Sequence, residues 1–132
     1  FAGTAEKVID GDTAWVNRGT LSTKVRLHSV DAPEHDQPYG AEARDYLAKL
    51  LDKKQVTCTV RQNSYDRLVC DVLVDGKSVN AGMVAAGFAW VDPRYNRDKT
   101  LRELQIKAKA EKRGLWADDT AIPPWDWRKG KH

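Results

Sequence analysis

Five strand-like segments, a helical stretch inserted after the third, and further helical pattern after the fifth predict an α+β, mainly β fold. It is a small five-stranded Greek-key barrel of the OB type with about three helices packed around it. The first three segments cover residues 4–9, 13–16 and 23–29, punctuated by Asp10-Gly11-Asp12 and Asn17-Arg18-Gly19, and read as a meander. Over residues 40–51 the period changes. Ala43, Tyr46, Leu47, Leu50 and Leu51 recur at helical spacing, which lays one apolar stripe along a helix that packs on the sheet. Alternation returns at Val56, Cys58 and Val60, and again at Leu68, Cys70, Val72 and Val74, joined as a hairpin by Asn63-Ser64-Tyr65-Asp66.

Asp75-Gly76 then makes a tight turn, residues 79–86 form a short helix, and Gly87 ends it. Thr100 and Glu103 have the spacing of a capping box. Leu101, Leu104 and Ala108 line one face of the helix that follows, and Gly114 marks its expected stop. Residues 1–116 are thus read as the domain proper. Residues 117–132, with Pro123-Pro124 and Trp125 and Trp127, are read as an extended tail lying across the same domain with its tryptophans as anchors.

A chain of 132 residues has length for one domain and none to spare for a second. No apolar stretch approaches the roughly 18 residues that would span a bilayer, and five tryptophans argue against disorder. The net charge of +3 favours a polyanionic partner without requiring one. Cys58 and Cys70 lack the spacing of a structural zinc site, so they are two buried thiols or one disulfide. Both are in phase with the apolar positions of adjacent hairpin strands. A bridge would form if they face each other as a close pair, and it would indicate an oxidising compartment. The chain opens at Phe1-Ala2-Gly3 without an initiator Met, and a removed leader, with a secreted or periplasmic location, is the expectation.

The chemistry lies in four acids crowding two turns. Asp10 and Asp12 flank Gly11, and Asp31-Ala32-Pro33-Glu34 follows the strand that carries Arg26. Taken singly, each is an ordinary turn or solvated loop. Brought together, they would repel one another unless a cation sat between them, and their hard oxygens suit Ca²⁺ or Mg²⁺. They do not follow the EF-hand pattern. Arg26, and Arg67 at the start of the fifth strand, supply planar guanidiniums that match phosphate oxygens and charge developing on phosphorus. Singly, each would equally serve an ordinary salt bridge.

From about Gly3 to Trp116 the chain resembles the staphylococcal nuclease (thermonuclease) family. The likeness runs through Val8-Ile9-Asp10-Gly11-Asp12-Thr13, Val25-Arg26-Leu27, Val30-Asp31-Ala32-Pro33-Glu34, Tyr39-Gly40-Ala41-Glu42-Ala43, Tyr65-Asp66-Arg67, Asp75-Gly76-Lys77 and Gly114-Leu115-Trp116. The resemblance implies an OB-fold enzyme, a monomer away from membranes, that cuts DNA and RNA with little sequence preference, uses one Ca²⁺ and leaves 3′-phosphate ends. Asp12 and Asp31 match the metal carboxylates, Ala32 the position offering a backbone carbonyl, and Asp10 an acid just behind them. Glu34 matches the glutamate that orients or deprotonates water, Arg26 and Arg67 the phosphate-clamping catalytic pair, and Tyr65 a residue flanking the bound nucleotide.

Two departures stand out. Asp66 takes the place where glycine commonly precedes the second arginine, and its carboxylate would draw on Arg67 or shift the loop. The loop over residues 35–38 is short and has no lysine, which would weaken the hold on polymer; His35 there reads as a bystander. Lys107, Lys109, Lys112 and Arg113, with Arg128, Lys129 and Lys131, would form a secondary phosphate stripe or simply a solvated face. The competing readings are a catalytically weak or inactive OB module binding single strands, and a scaffold domain. The acids favour the enzyme, because a phosphate binder gains nothing from repelling its ligand.

Overall fold

A computed structural model of the chain describes residues 1–130. Strands β1 (Ala2–Asp10), β2 (Thr13–Asn17) and β3 (Ser22–Leu27) form the antiparallel meander. The two-residue strand β4 (Val30–Asp31) and helix α1 (Gly40–Leu51) follow. The long hairpin of β5 (Gln55–Ser64) and β6 (Arg67–Val74) comes next. Strand β5 pairs antiparallel with β1, and β6 pairs parallel with β3, so the order β3-β2-β1-β5-β6 closes on itself as a five-stranded barrel. Closure removes the free edges that an open sheet of this size would expose. The remaining strands and α-helices are β7 (Lys77–Ser78) at the margin of β6, α2 (Val79–Ala85), β8 (Trp90–Val91) paired with β4, α3 (Lys99–Ala110) and α4 (Pro124–Arg128), with short 3-10 turns at Pro93–Tyr95 and Gly114–Ala117.

The predicted α1 and its observed bounds coincide. Ala43, Leu47 and Leu51 are buried against the barrel interior, with Tyr46 and Leu50 half-buried beside them. The strands contribute Val16, Val25, Leu27, Val56 and Val72 to the same core. Val60 departs from its alternation and is 45% exposed, because β5 outruns the core toward the hairpin tip and its register slips between Val60 and Gln62.

Three other expectations change. Helix α3 is capped not by Thr100 but by Asp98, whose carboxylate accepts from the Leu101 N–H at 3.0 Å; an anionic cap also complements the helix dipole. The helix ends at Ala110, short of Gly114, where the chain turns through Lys112 at φ 52°. The tail is not extended throughout: Pro124 sits in the first turn of α4, a position that tolerates its missing N–H.

The cysteines do not face each other. Cys58 lies opposite Val72, and Cys70 opposite Val60, so the two are diagonal neighbours and both thiols are free and buried. Their mutual hydrogen bond and burial push the Cys70 thiol above its ordinary range.

Candidate active site

The local backbone brings the two acidic turns into contact. A Cβ on Gly11 would lie 2.7 Å from the Cβ atoms of both Ala32 and Ala43, so only glycine lets the β1–β2 turn press against Ala32 and α1. The β1–β2 register shifts between Val8 and Asp10, an irregularity of the kind that re-aims a side chain. Asp10 Oδ1 accepts from the Asp12 N–H at 3.1 Å, and Asp12 reaches across to accept from the Ala32 N–H at 3.0 Å. Thr13 Oγ1 donates to the second Asp12 oxygen at 3.0 Å.

Sheet register supplies the arginines. Arg26 pairs with Thr13 on one side and with Val69 on the other, and Arg67 lies two residues before Val69 on the same face of β6. The Arg26 guanidinium is fixed by carbonyls, with Nη1 donating to Leu27 O at 2.6 Å and to Val30 O at 3.0 Å. Its Nη2 lies 3.4 Å from both Asp12 Oδ2 and Asp31 Oδ1. Arg67 has no such partner among the described residues. Of the two expectations for Asp66, that it draws on Arg67 or shifts the loop, the first is not met: its carboxylate turns to Lys24 at 3.4 Å.

Glu34 is held by its backbone. Its N–H donates to Gln37 Oε1 and its carbonyl accepts from the Gln37 N–H, both at 3.0 Å. A Cβ on Gly40 would stand 2.0 Å from the Glu34 carbonyl oxygen, so the start of α1 braces the loop only because Gly40 lacks one. Gln37 is buried and was not singled out by sequence reasoning, since nothing in an isolated glutamine distinguishes a loop brace from a surface side chain.

Asp10, Asp12, Arg26, Asp31, Glu34 and Arg67 line one open cleft of about 630 Å³. Tyr65 does not join its wall; it stands fully exposed on the turn between Ser64 and Arg67, which do. His35 is also outside the wall. Of the basic stripe, Lys109 lies over the Trp116 ring at 4.7 Å, and Arg113 donates to Glu111 and to the Ala85 carbonyl, so both make internal contacts. Lys131 lies outside the described residues.

Burial shifts two of the acids in the cleft. Burial, then repulsion from Asp12, raises the Asp10 carboxyl to about 7. Burial also raises Asp31, against the pull of Arg128 and Arg26. Arg128 was read from the sequence only as part of a basic tail. Its Nε donates to Glu34 Oε1 and its Nη2 to Asp31 Oδ1, while Nη1 reaches Asp31 Oδ2 at 3.1 Å.

This arrangement of an acid pair, a glutamate and two strand-borne arginines on a closed five-stranded barrel coincides with a family match. Residues 24–118 match the model described as staphylococcal nuclease homologue. The chain belongs to the staphylococcal nuclease family. It is 43% identical over 131 residues to an uncharacterized endonuclease of Escherichia coli O157:H7, covering 98% of this chain and 86% of that one. An uncharacterized endonuclease of Haemophilus influenzae is 35% identical over 125 residues, covering 93% and 70%. A micrococcal nuclease of Shigella flexneri is 34% identical over 143 aligned positions, covering 98% and 81%.

A divalent cation implied by this family meets a suitable donor set. Asp12 and Asp31 offer hard carboxylate oxygens close enough to share one Arg26 nitrogen. Among the described residues no three side chains of His, Cys, Asp and Glu are placed to form a cation cage unaided. The Ala32 N–H donates to Asp12, which ties this backbone position to one of the two carboxylates.

Proposed function

We propose that this cleft hydrolyses phosphodiester bonds of DNA and RNA with little sequence preference, uses one Ca²⁺ and leaves 3′-phosphate ends. The observation that carries the reading is a guanidinium without a carboxylate partner among the described residues, Arg67, opening onto the same cleft as Asp12, Asp31 and Glu34. Arg67 is half-buried, so its guanidinium is held at the cleft with donors available to an anionic ligand.

Asp12, Asp31 and the Ala32 carbonyl would hold the ion, with Asp10 behind them bonded to the Asp12 N–H. Bound there, Ca²⁺ supplies positive charge facing the scissile phosphate. Arg67 donates two N–H groups to the phosphate oxygens, and its hold tightens as negative charge accumulates on them in the transition state. Arg26, anchored on two carbonyls, contributes a fixed positive charge that needs no reorganisation when the reaction occurs. Glu34 accepts a hydrogen bond from the attacking water and orients it in line with the leaving oxygen. The new bond joins water oxygen to phosphorus, the bond to the 5′-oxygen breaks, and that oxygen takes a proton, leaving the phosphate on the 3′ side. Tyr65, exposed at the hairpin tip beside Arg67, flanks the neighbouring nucleotide.

Glu34→Gln tests the assignment. Turnover on a short labelled single strand falls about 10³-fold, while the circular dichroism spectrum and unfolding midpoint match those of the parent chain. Unchanged cleavage would remove Glu34 from the mechanism. The alternative, a single-strand binding module without turnover, is favoured by the Arg128 contacts that neutralise Asp31 and Glu34, and it predicts that oligonucleotide is retained uncut.

A further inference from the structure

The C-terminal segment is fastened beside the cleft at three points. Gln37 Nε2 donates to the Ile122 carbonyl at 2.5 Å, the Trp125 ring meets Trp90 edge-on at 5.6 Å, and Trp127 Nε1 donates to Asp36 Oδ1 at 3.3 Å. Beyond Pro123, α4 carries Arg128 over the acids, where its guanidinium holds both Asp31 oxygens and one of Glu34.

A guanidinium only donates hydrogen bonds, and each one occupies a lone pair that a cation would need. Arg26 and Arg128 already meet at Asp31 Oδ1, so a divalent cation brought to the same carboxylate would add a third positive centre at strong mutual repulsion. The two arginines on Asp31 differ here. Arg26 is tied to Leu27 O and Val30 O and stays in place whatever Asp31 does. The Arg128 side chain is 44% exposed, and its guanidinium bonds among the described residues go only to Asp31 and Glu34.

We propose that Arg128 and a divalent cation are alternative counter-charges for Asp31 and Glu34, so that the C-terminal segment is a built-in competitor which must release these acids before the site can load. While Arg128 holds Glu34, that carboxylate is also engaged at an oxygen it would use to orient water. The inference rests on the metal reading given under Proposed function. Apparent affinity for the cation is then lowered by the fraction of molecules in which Arg128 is engaged.

The test is a calcium-binding isotherm by titration calorimetry on the full chain, comparing the parent with Arg128→Gln and Arg128→Lys, with circular dichroism to verify folding. The expected result is Ca²⁺ binding tightened about five-fold or more in Arg128→Gln, with Arg128→Lys between the two because an ammonium cannot span both acids. Equal or weaker binding in Arg128→Gln would overturn the competition while leaving the metal reading intact; weaker cleavage at unchanged Ca²⁺ affinity would also overturn it, by making Arg128 a substrate contact. If none of the three chains binds Ca²⁺, nor Mg²⁺ or Mn²⁺ titrated in its place, the metal reading and the competition fall together.

Discussion

Arg26 and Arg67 carry the same group but are prepared differently. Arg26 is tied to two carbonyls and two carboxylates, whereas Arg67 has no side-chain partner among the described residues and Asp66 is engaged with Lys24. Arg67→Lys keeps the charge but loses the planar fork, and kcat/KM on an oligonucleotide is expected to fall about 10²-fold; activity equal to the parent would show that charge alone suffices. Asp10 gives a pH signature. Its folded-state carboxyl titrates near 7 against an ordinary 3.8, raised first by burial and then by Asp12. The folded form therefore binds this proton more tightly than the unfolded chain, and cation-free stability declines as pH rises between those values and levels off above. Asp10→Asn reduces that slope in urea unfolding measured across the range; a slope left intact would assign it elsewhere, with Asp31, also raised, the next candidate. The acids and strand arginines were legible in the sequence because their chemistry makes sense only as a group. Arg128 and Gln37 were not, because one sits among other basic tail residues and the other is a lone amide, and each acquires meaning only through the partner the fold brings to it.

At the level of elements, Asn80 does what no single strand could. Its Oδ1 accepts from the Val72 N–H at 2.9 Å, and its Nδ2 donates to the carbonyls of His28 at 2.9 Å and Cys70 at 3.1 Å. The start of α2 is thereby bonded to β6 and to the chain leaving β3, just beyond the parallel pairing that closes the barrel. Asn80→Ala removes the side-chain partner of the Val72 N–H and of the His28 carbonyl, while the Cys70 carbonyl still accepts from the His28 N–H, and a loss of about 3 kcal/mol is expected in denaturant unfolding; a change within a few tenths would show that water replaces the side chain. Strong periodicity made α1 legible to the residue, whereas the α3 start was misplaced because two caps compete locally and only geometry decides between Asp98 and Thr100. The cysteines failed for a related reason. Alternation gives a side chain's face but not its partner, and a register offset of two positions separates Cys58 from Cys70.

For the whole molecule, barrel closure is the step that makes the cleft. The parallel β3–β6 pairing sets Arg26 beside the face that carries Arg67, and the close approach at Gly11 sets Asp12 beside Asp31. The meander, the inserted helix and the hairpin were all readable as a string, and closure followed from their order. How the final segment folds back over the site was not, since prolines and tryptophans announce an anchored tail without saying what it covers. Among the described residues no helix is long and apolar enough to cross a membrane. The most direct measurement is cleavage of labelled single-stranded DNA and RNA with added Ca²⁺, then with excess chelator, followed by analysis of the product ends. Cleavage of both polymers that stops on chelation and leaves 3′-phosphates is the predicted result; cutting that persists undiminished in chelator would contradict it.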